Sequence, residues 1–111
     1  MIEAAAPASA AMAAALFAVD PSGIGGVLLR SAGGPAREDW LAALARLLPA
    51  TPGLRRVPLH ISDDRLLGGL DLAATLHAGR PVAQRGLLAQ ADGGVIVLAM
   101  AERLSAATAA R

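Results

Sequence analysis

The apolar residues of this chain fall into short blocks separated by glycine, proline and acidic residues. In the first block Ser9 can cap a helix running to about Val19, with Met12, Leu16 and Val19 at i, i+4 and i+7 as its apolar stripe. Asp20-Pro21 stops that helix, and Ser22 to Gly26 predicts a flexible turn. Val27-Leu28-Leu29 is a continuous apolar run, the pattern of a parallel strand buried on both faces. After the small-residue stretch Ser31-Ala32-Gly33-Gly34-Pro35, a helix is predicted from about Ala36 to Leu48. Leu41, Leu44 and Leu48 are its buried stripe, Glu38 and Asp39 lie in its first turn, Arg46 lies in its last, and Pro49 ends it.

The second half is more broken. Val57 to Ile61 reads as a strand, with Pro58 placing it near an edge. Ser62 to Gly69 reads as a loop. Asp71 can cap a short helix from Leu72 to about His77, closed by Gly79. Arg80 to Arg85 reads as a hairpin or a loop, and Gly86 to Ala91 as a turn of helix or a short strand. Val95 to Leu98 is a third apolar strand, and a last helix starts near Ala101 and still runs at Arg111. Strands alternating with helices predict an α/β fold: a parallel sheet of about three strands with flanking helices. So thin a sheet suggests part of a larger fold, either a fragment or a truncated product.

Composition narrows the function classes. With 111 residues there is room for one small domain. Apolar residues make up 55% and charged residues 17%, the reverse of a disordered chain. Phe17 and Trp40 are the sole aromatics, so Leu, Val, Ile and Ala must build the core. The net charge is +1, and every cation is arginine, spread along the chain without the clustering or stacking aromatics of a nucleic-acid surface. The absence of cysteine excludes disulfides and thiolate-ligated metals and is compatible with a reducing, cytoplasmic setting. The alanine-rich N-terminus carries Glu3 where a signal peptide has positive charge, and no apolar stretch of about 18 residues spans a membrane.

The strand, small-residue loop and helix from Val27 to Leu48 form the frame of a phosphate-binding loop. A working loop adds a lysine for the β and γ phosphates and a Ser or Thr hydroxyl for magnesium. Here the frame is present without a lysine, and Arg37 and Glu38 open its helix. Glu38 puts a carboxylate where phosphate would sit, and Pro35 removes a backbone donor. At Val95 to Leu98, an apolar run of the kind that ends in Asp-Glu in ATPases ends instead in Ala99-Met100, which neither bind a cation nor accept a proton.

These stretches together resemble the AAA+ module of magnesium chelatase subunits. Ala18-Val19-Asp20-Pro21, Ile24-Gly25-Gly26-Val27-Leu28-Leu29 and Leu47-Leu48-Pro49 look like its opening segment. Ser62-Asp63-Asp64-Arg65, Gly68-Gly69-Leu70-Asp71 and Gly86-Leu87-Leu88-Ala89 look like the stretch between its two Walker motifs. Aligned without gaps, the Walker glycines fall on Ser31, Gly34 and Ala36, the lysine on Arg37 and the magnesium hydroxyl on Glu38. The resemblance covers about Ala14 to Leu104 and implies a partial P-loop NTPase fold, with 1–111 as the N-terminal portion of an AAA+-like domain. It implies a hairpin at about Gly79 to Gly86. The degenerate motifs favour the non-catalytic D subunit.

The resemblance further implies a platform without ATPase activity in the complex that inserts Mg²⁺ into protoporphyrin IX for chlorophyll or bacteriochlorophyll synthesis. Its implied partners are the ATPase subunit, which holds the ATP and Mg²⁺, and through the complex the porphyrin-binding subunit. No cofactor, catalytic residue or metal ligand is assigned to this chain. Ser31, Gly33, Gly34 and Arg37 are the vestigial cofactor-binding loop, and Arg65, Arg80 and Arg85 are candidates for reaching a neighbouring ATP site. An alternative is an ATP-binding, MoxR-like ATPase fragment with an unorthodox loop; another is an inactive fragment.

Plainer readings stand beside these. Arg37 can be a solvated arginine at a helix start, and Asp63-Asp64 a capping or solvated pair rather than a cation site. His60 reads as a packed or hydrogen-bonded strand residue and His77 as a helix C-terminal cation. Ser31 lacks the flanking pattern of a nucleophile. The small residues at 31–36 can be a mere connector.

Overall fold

The computed structural model describes residues 1–4, 7–31 and 34–111. The fold is mixed α/β with parallel strand pairs, in two compact units, Met1–Gly53 and Leu54–Arg111.

In the first unit β1 (Ile2–Ala4) pairs in parallel with β2 (Val27–Leu29), Ile2 opposite Val27 and Ala4 opposite Leu29. The sequence pattern missed β1, a three-residue strand in an alanine-rich leader. Its ladder is closed by Ile2 N–H to Gly26 O at 2.9 Å and Arg30 N–H to Ala4 O at 3.0 Å. Between the strands run α1 (Pro7–Val19) and α2 (Pro21–Ile24). The supposed flexible turn is therefore a helical turn, capped by Asp20 Oδ1 accepting from Gly23 N–H at 3.0 Å. Val27 and Leu29 are half-buried while Leu28 is exposed, so β2 is covered on one face rather than two.

The apolar face of α1 is not the one expected. Met12, Leu16 and Val19 are 66%, 52% and 85% exposed, whereas Ala10, Ala13, Ala14 and Phe17 are buried. Ala10 and Ala13 pack with Ala4, against which Ile2, Val27, Leu29 and Trp40 also lie. Small side chains let α1 approach closely, and Trp40 donates its indole N–H to Ala10 O at 2.7 Å. A helix with almost no polar face leaves periodicity nothing to orient it. Helix α3 (Pro35–Leu47) has clean amphipathicity, and Leu41, Leu44 and Leu48 are buried as the spacing predicts.

In the second unit β3 (Leu54–Arg56) pairs in parallel with β6 (Val95–Val97). The strand expected at Val57 to Ile61 thus lies earlier. Val57 N–H still bonds Val97 O at 3.0 Å, but Pro58 has no N–H to extend the ladder, and its carbonyl closes a turn to Ile61 N–H. His60 sits exposed beyond β3, not packed in a strand. The expected loop at 62–69 contains α4 (Asp63–Leu67) and β4 (Gly68–Leu70). Asp63 and Asp64 favour the first turn of α4, and Leu66 is its buried anchor.

β4 pairs antiparallel with β5 (Ala83–Arg85), and α5 (Leu72–Ala78) lies between them in the chain. The hairpin expected at about Gly79 to Gly86 does not form within those residues: β5 pairs instead with β4, which precedes α5. Helix α5 has the expected ends: Asp71 Oδ1 accepts from Ala74 N–H at 3.0 Å, and Gly79 takes φ +68°. Thr75 Oγ1 accepts from Val82 N–H at 3.0 Å, tying α5 to the return strand. Then come α6 (Leu87–Gln90), β6, a 3₁₀ turn (Ala101–Arg103) and α7 (Ala106–Ala109). The single last helix expected from Ala101 is thus broken at Leu104-Ser105, where extended Ser105 caps α7 by accepting from Thr108 N–H at 3.1 Å. Among the described residues the strands form three two-stranded sheets rather than one of three strands.

Candidate functional site

The loop after β2 leads to the start of α3, so the strand–loop–helix frame is present. Ser31 and Gly34 lie in that loop, both exposed, and Arg37 lies in the first turn of α3. Gly33 lies outside the described residues. Gly34 caps α3 at φ +95°, a left-handed backbone that favours glycine, with open space where a Cβ would stand. No side chain caps the helix there, Pro35 contributes no N–H, and Glu38 carries its charge at the positive end of the helix dipole. Arg37 is half-buried, and its Nε is buried without a hydrogen-bond partner. An unmet buried donor of this kind costs about 1–3 kcal/mol until something accepts from it.

In the second unit β6 runs out through Leu98 and Ala99 to Met100. Met100 adopts φ +52°, the left-handed region that non-glycine residues enter at a cost of about 1–2 kcal/mol. Neither Ala99 nor Met100 carries a carboxylate, so neither can bind magnesium through its side chain or activate water. Among the described residues no group of three or more His, Cys, Asp or Glu could hold a metal ion. Asp63 instead pairs with Arg111, Oδ2 to Nη2 at 2.8 Å, both largely exposed. No helix among the described residues is long and apolar enough to cross a membrane.

Of the arginines considered for a neighbouring site, Arg65 and Arg85 line one open pocket of about 370 Å³, and Arg80 is not among its lining residues. Arg56, at the end of β3, joins them. Reading the arginines one at a time missed it; the Arg55-Arg56 doublet was its only trace.

No family model matches the chain, and no solved structure matches it. Curated proteins do. The magnesium-chelatase 60 kDa subunit of Rhodobacter capsulatus is 46% identical over 99 residues, covering 89% of this chain and 17% of that protein. The 60 kDa subunit of Cereibacter sphaeroides is 48% identical over 97 residues, 86% of this chain and 16% of that protein. The magnesium-chelatase 38 kDa subunit of Rhodobacter capsulatus is 30% identical, covering 78% of this chain and 33% of that protein. The chain therefore spans about one sixth of the length of the larger subunits it matches.

Proposed function

We propose that this chain, a homologue of part of the magnesium-chelatase 60 kDa subunits, acts as a non-hydrolytic platform in an Mg²⁺-inserting complex. It is the AAA+-like portion of such a subunit, pairs with the ATPase subunit that holds ATP and Mg²⁺, and serves insertion of Mg²⁺ into protoporphyrin IX.

The observation that carries this reading is the end of β6. On the AAA+-like reading, Ala99 and Met100 take the positions at which a hydrolase needs a metal-holding and a water-activating carboxylate, and neither side chain can do either. The start of α3 agrees, since Glu38 competes with phosphate for the positive helix end. The greater identity to the 60 kDa subunits than to the 38 kDa subunit points the same way. Exposed Met12, Leu16 and Val19 on α1 supply the unpartnered apolar surface that an assembly component uses.

The unmet Nε of Arg37 favours the one competing reading, an ATPase with an unorthodox loop. Phosphate release from Mg-ATP by the purified chain separates the two. The platform releases no phosphate above the buffer blank. Turnover abolished by Arg37→Gln would establish the ATPase instead.

A further inference from the structure

Helix α5 turns its leucines to solvent. Leu72 and Leu76 are 69% and 83% exposed, whereas Ala74 and Thr75 are half-buried. At i and i+4 the two leucines share one face. The helix that presents them is fixed at both ends. Asp71 caps it, Gly79 closes it, and Asp71 N–H donates to Val82 O at 2.8 Å beside the bond from Val82 N–H to Thr75 Oγ1.

The same unit holds an apolar groove. Val57, Leu66, Leu88, Ile96, Leu98 and Leu104 line about 350 Å³ of space. Val57 and Leu66 are buried there, while Ile96 and Leu98 stay partly open to solvent. The two polar side chains of the lining are already engaged. Thr108 Oγ1 accepts from Ser105 Oγ at 2.9 Å, and Arg111 makes a two-point pair with Asp63, Nε to Oδ1 at 3.3 Å and Nη2 to Oδ2 at 2.8 Å. No lining side chain therefore calls for a polar ligand, and what the groove lacks is apolar contact. A cavity of roughly 150 Å³ takes up a benzene molecule, so this larger one has room for two leucine side chains.

We propose that the groove receives Leu72 and Leu76 of a second copy of this chain. An i, i+4 pair of apolar anchors is how a helix seats itself in such a groove. Both halves of the contact lie on one molecule, so like chains associate head to tail. Charge favours the same approach. From Leu72 to Ala91 there is no acidic residue, and Arg80 and Arg85 lie in that stretch. Helix α4, which gives Leu66 to the groove, carries Asp63 and Asp64 against Arg65 alone. Opposite charge speeds encounter and sets orientation, while the leucines supply the contact. The inference goes beyond the platform reading and does not rest on it.

The test is sedimentation velocity of the full chain across a wide concentration range. A mass that rises with concentration is expected. Leu72→Gln/Leu76→Gln, on an exposed face where such changes leave the fold intact, weakens association about tenfold or more. Ala109→Arg, at an exposed position of the groove lining, does the same. Circular dichroism melts of each variant keep a folding defect apart from a lost contact. Each of the two variants retains the half that the other has lost, so their equimolar mixture gives a one-to-one heterodimer and nothing larger. Leu16→Gln, in the first unit, stays within about twofold of the unchanged chain. A chain that stays monomeric throughout would overturn the proposal and leave the leucines to a different protein. So would a mixture that yields no heterodimer, because like faces then pair with like. Loss in Ala109→Arg without loss in Leu72→Gln/Leu76→Gln would also overturn it, since something other than α5 then fills the groove. An equal loss in Leu16→Gln would move the interface to α1. None of these outcomes bears on phosphate release or on subunit capture, which test the platform.

Discussion

Gly86 and Gly68 meet backbone to backbone where β5 returns past the start of β4. A Cβ on Gly68 would stand 2.8 Å from Gln84 O and 3.2 Å from Gly86 N, and one on Gly86 would run into Gly68 N and the Leu66 and Leu67 carbonyl groups. Gly86 itself has φ −76°, so its demand is for space and not for an unusual backbone. Gly86→Ala is therefore expected to destabilise the chain by at least ~2 kcal/mol, because backbone cannot move aside as a flexible side chain does. Gly79→Ala, at φ +68° but facing open space, is expected to cost about 1 kcal/mol. Urea denaturation of both variants checks the contrast.

The two sides of α1 make an opposed pair. Phe17 is 5% exposed, and Phe17→Ala is expected to cost about 3–5 kcal/mol. Leu16→Gln, one residue away on the outer face, is expected to change stability by no more than about 0.5 kcal/mol. If the two effects were reversed in denaturant melts, the stripe of Met12, Leu16 and Val19 would be the buried one after all.

Trp40 is the single tryptophan and packs within the first unit, so its fluorescence reports on that unit. Trp40→Phe keeps a ring against α1 and removes the indole N–H to Ala10 O. The expected loss is about 0.5–1.5 kcal/mol by denaturant titration followed by circular dichroism.

Much of the α/β pattern was legible where one strong local signal acted. Asp71 and Gly79 bracket α5 by chemistry that works within a single turn, and Leu41, Leu44 and Leu48 mark α3 because its other face is polar. What stayed hidden depends on distant partners. Ile2–Ala4 is a strand because Val27–Leu29 lies beside it, and Gly68–Leu70 because Ala83–Arg85 returns to it. Three residues carry too little periodicity to announce either. The alanines of α1 concealed which side faces the core. Ser31 and Gly34 lie in the loop after β2 and Arg37 in the first turn of α3, and Arg37's unmet Nε is visible only in three dimensions.

The most direct measurement is a pull-down of this chain against a purified magnesium-chelatase ATPase subunit, with and without Mg-ATP. Specific capture that depends on nucleotide is the expected result, with the ATP held by the partner. Failure of the two to associate under either condition would contradict the platform role.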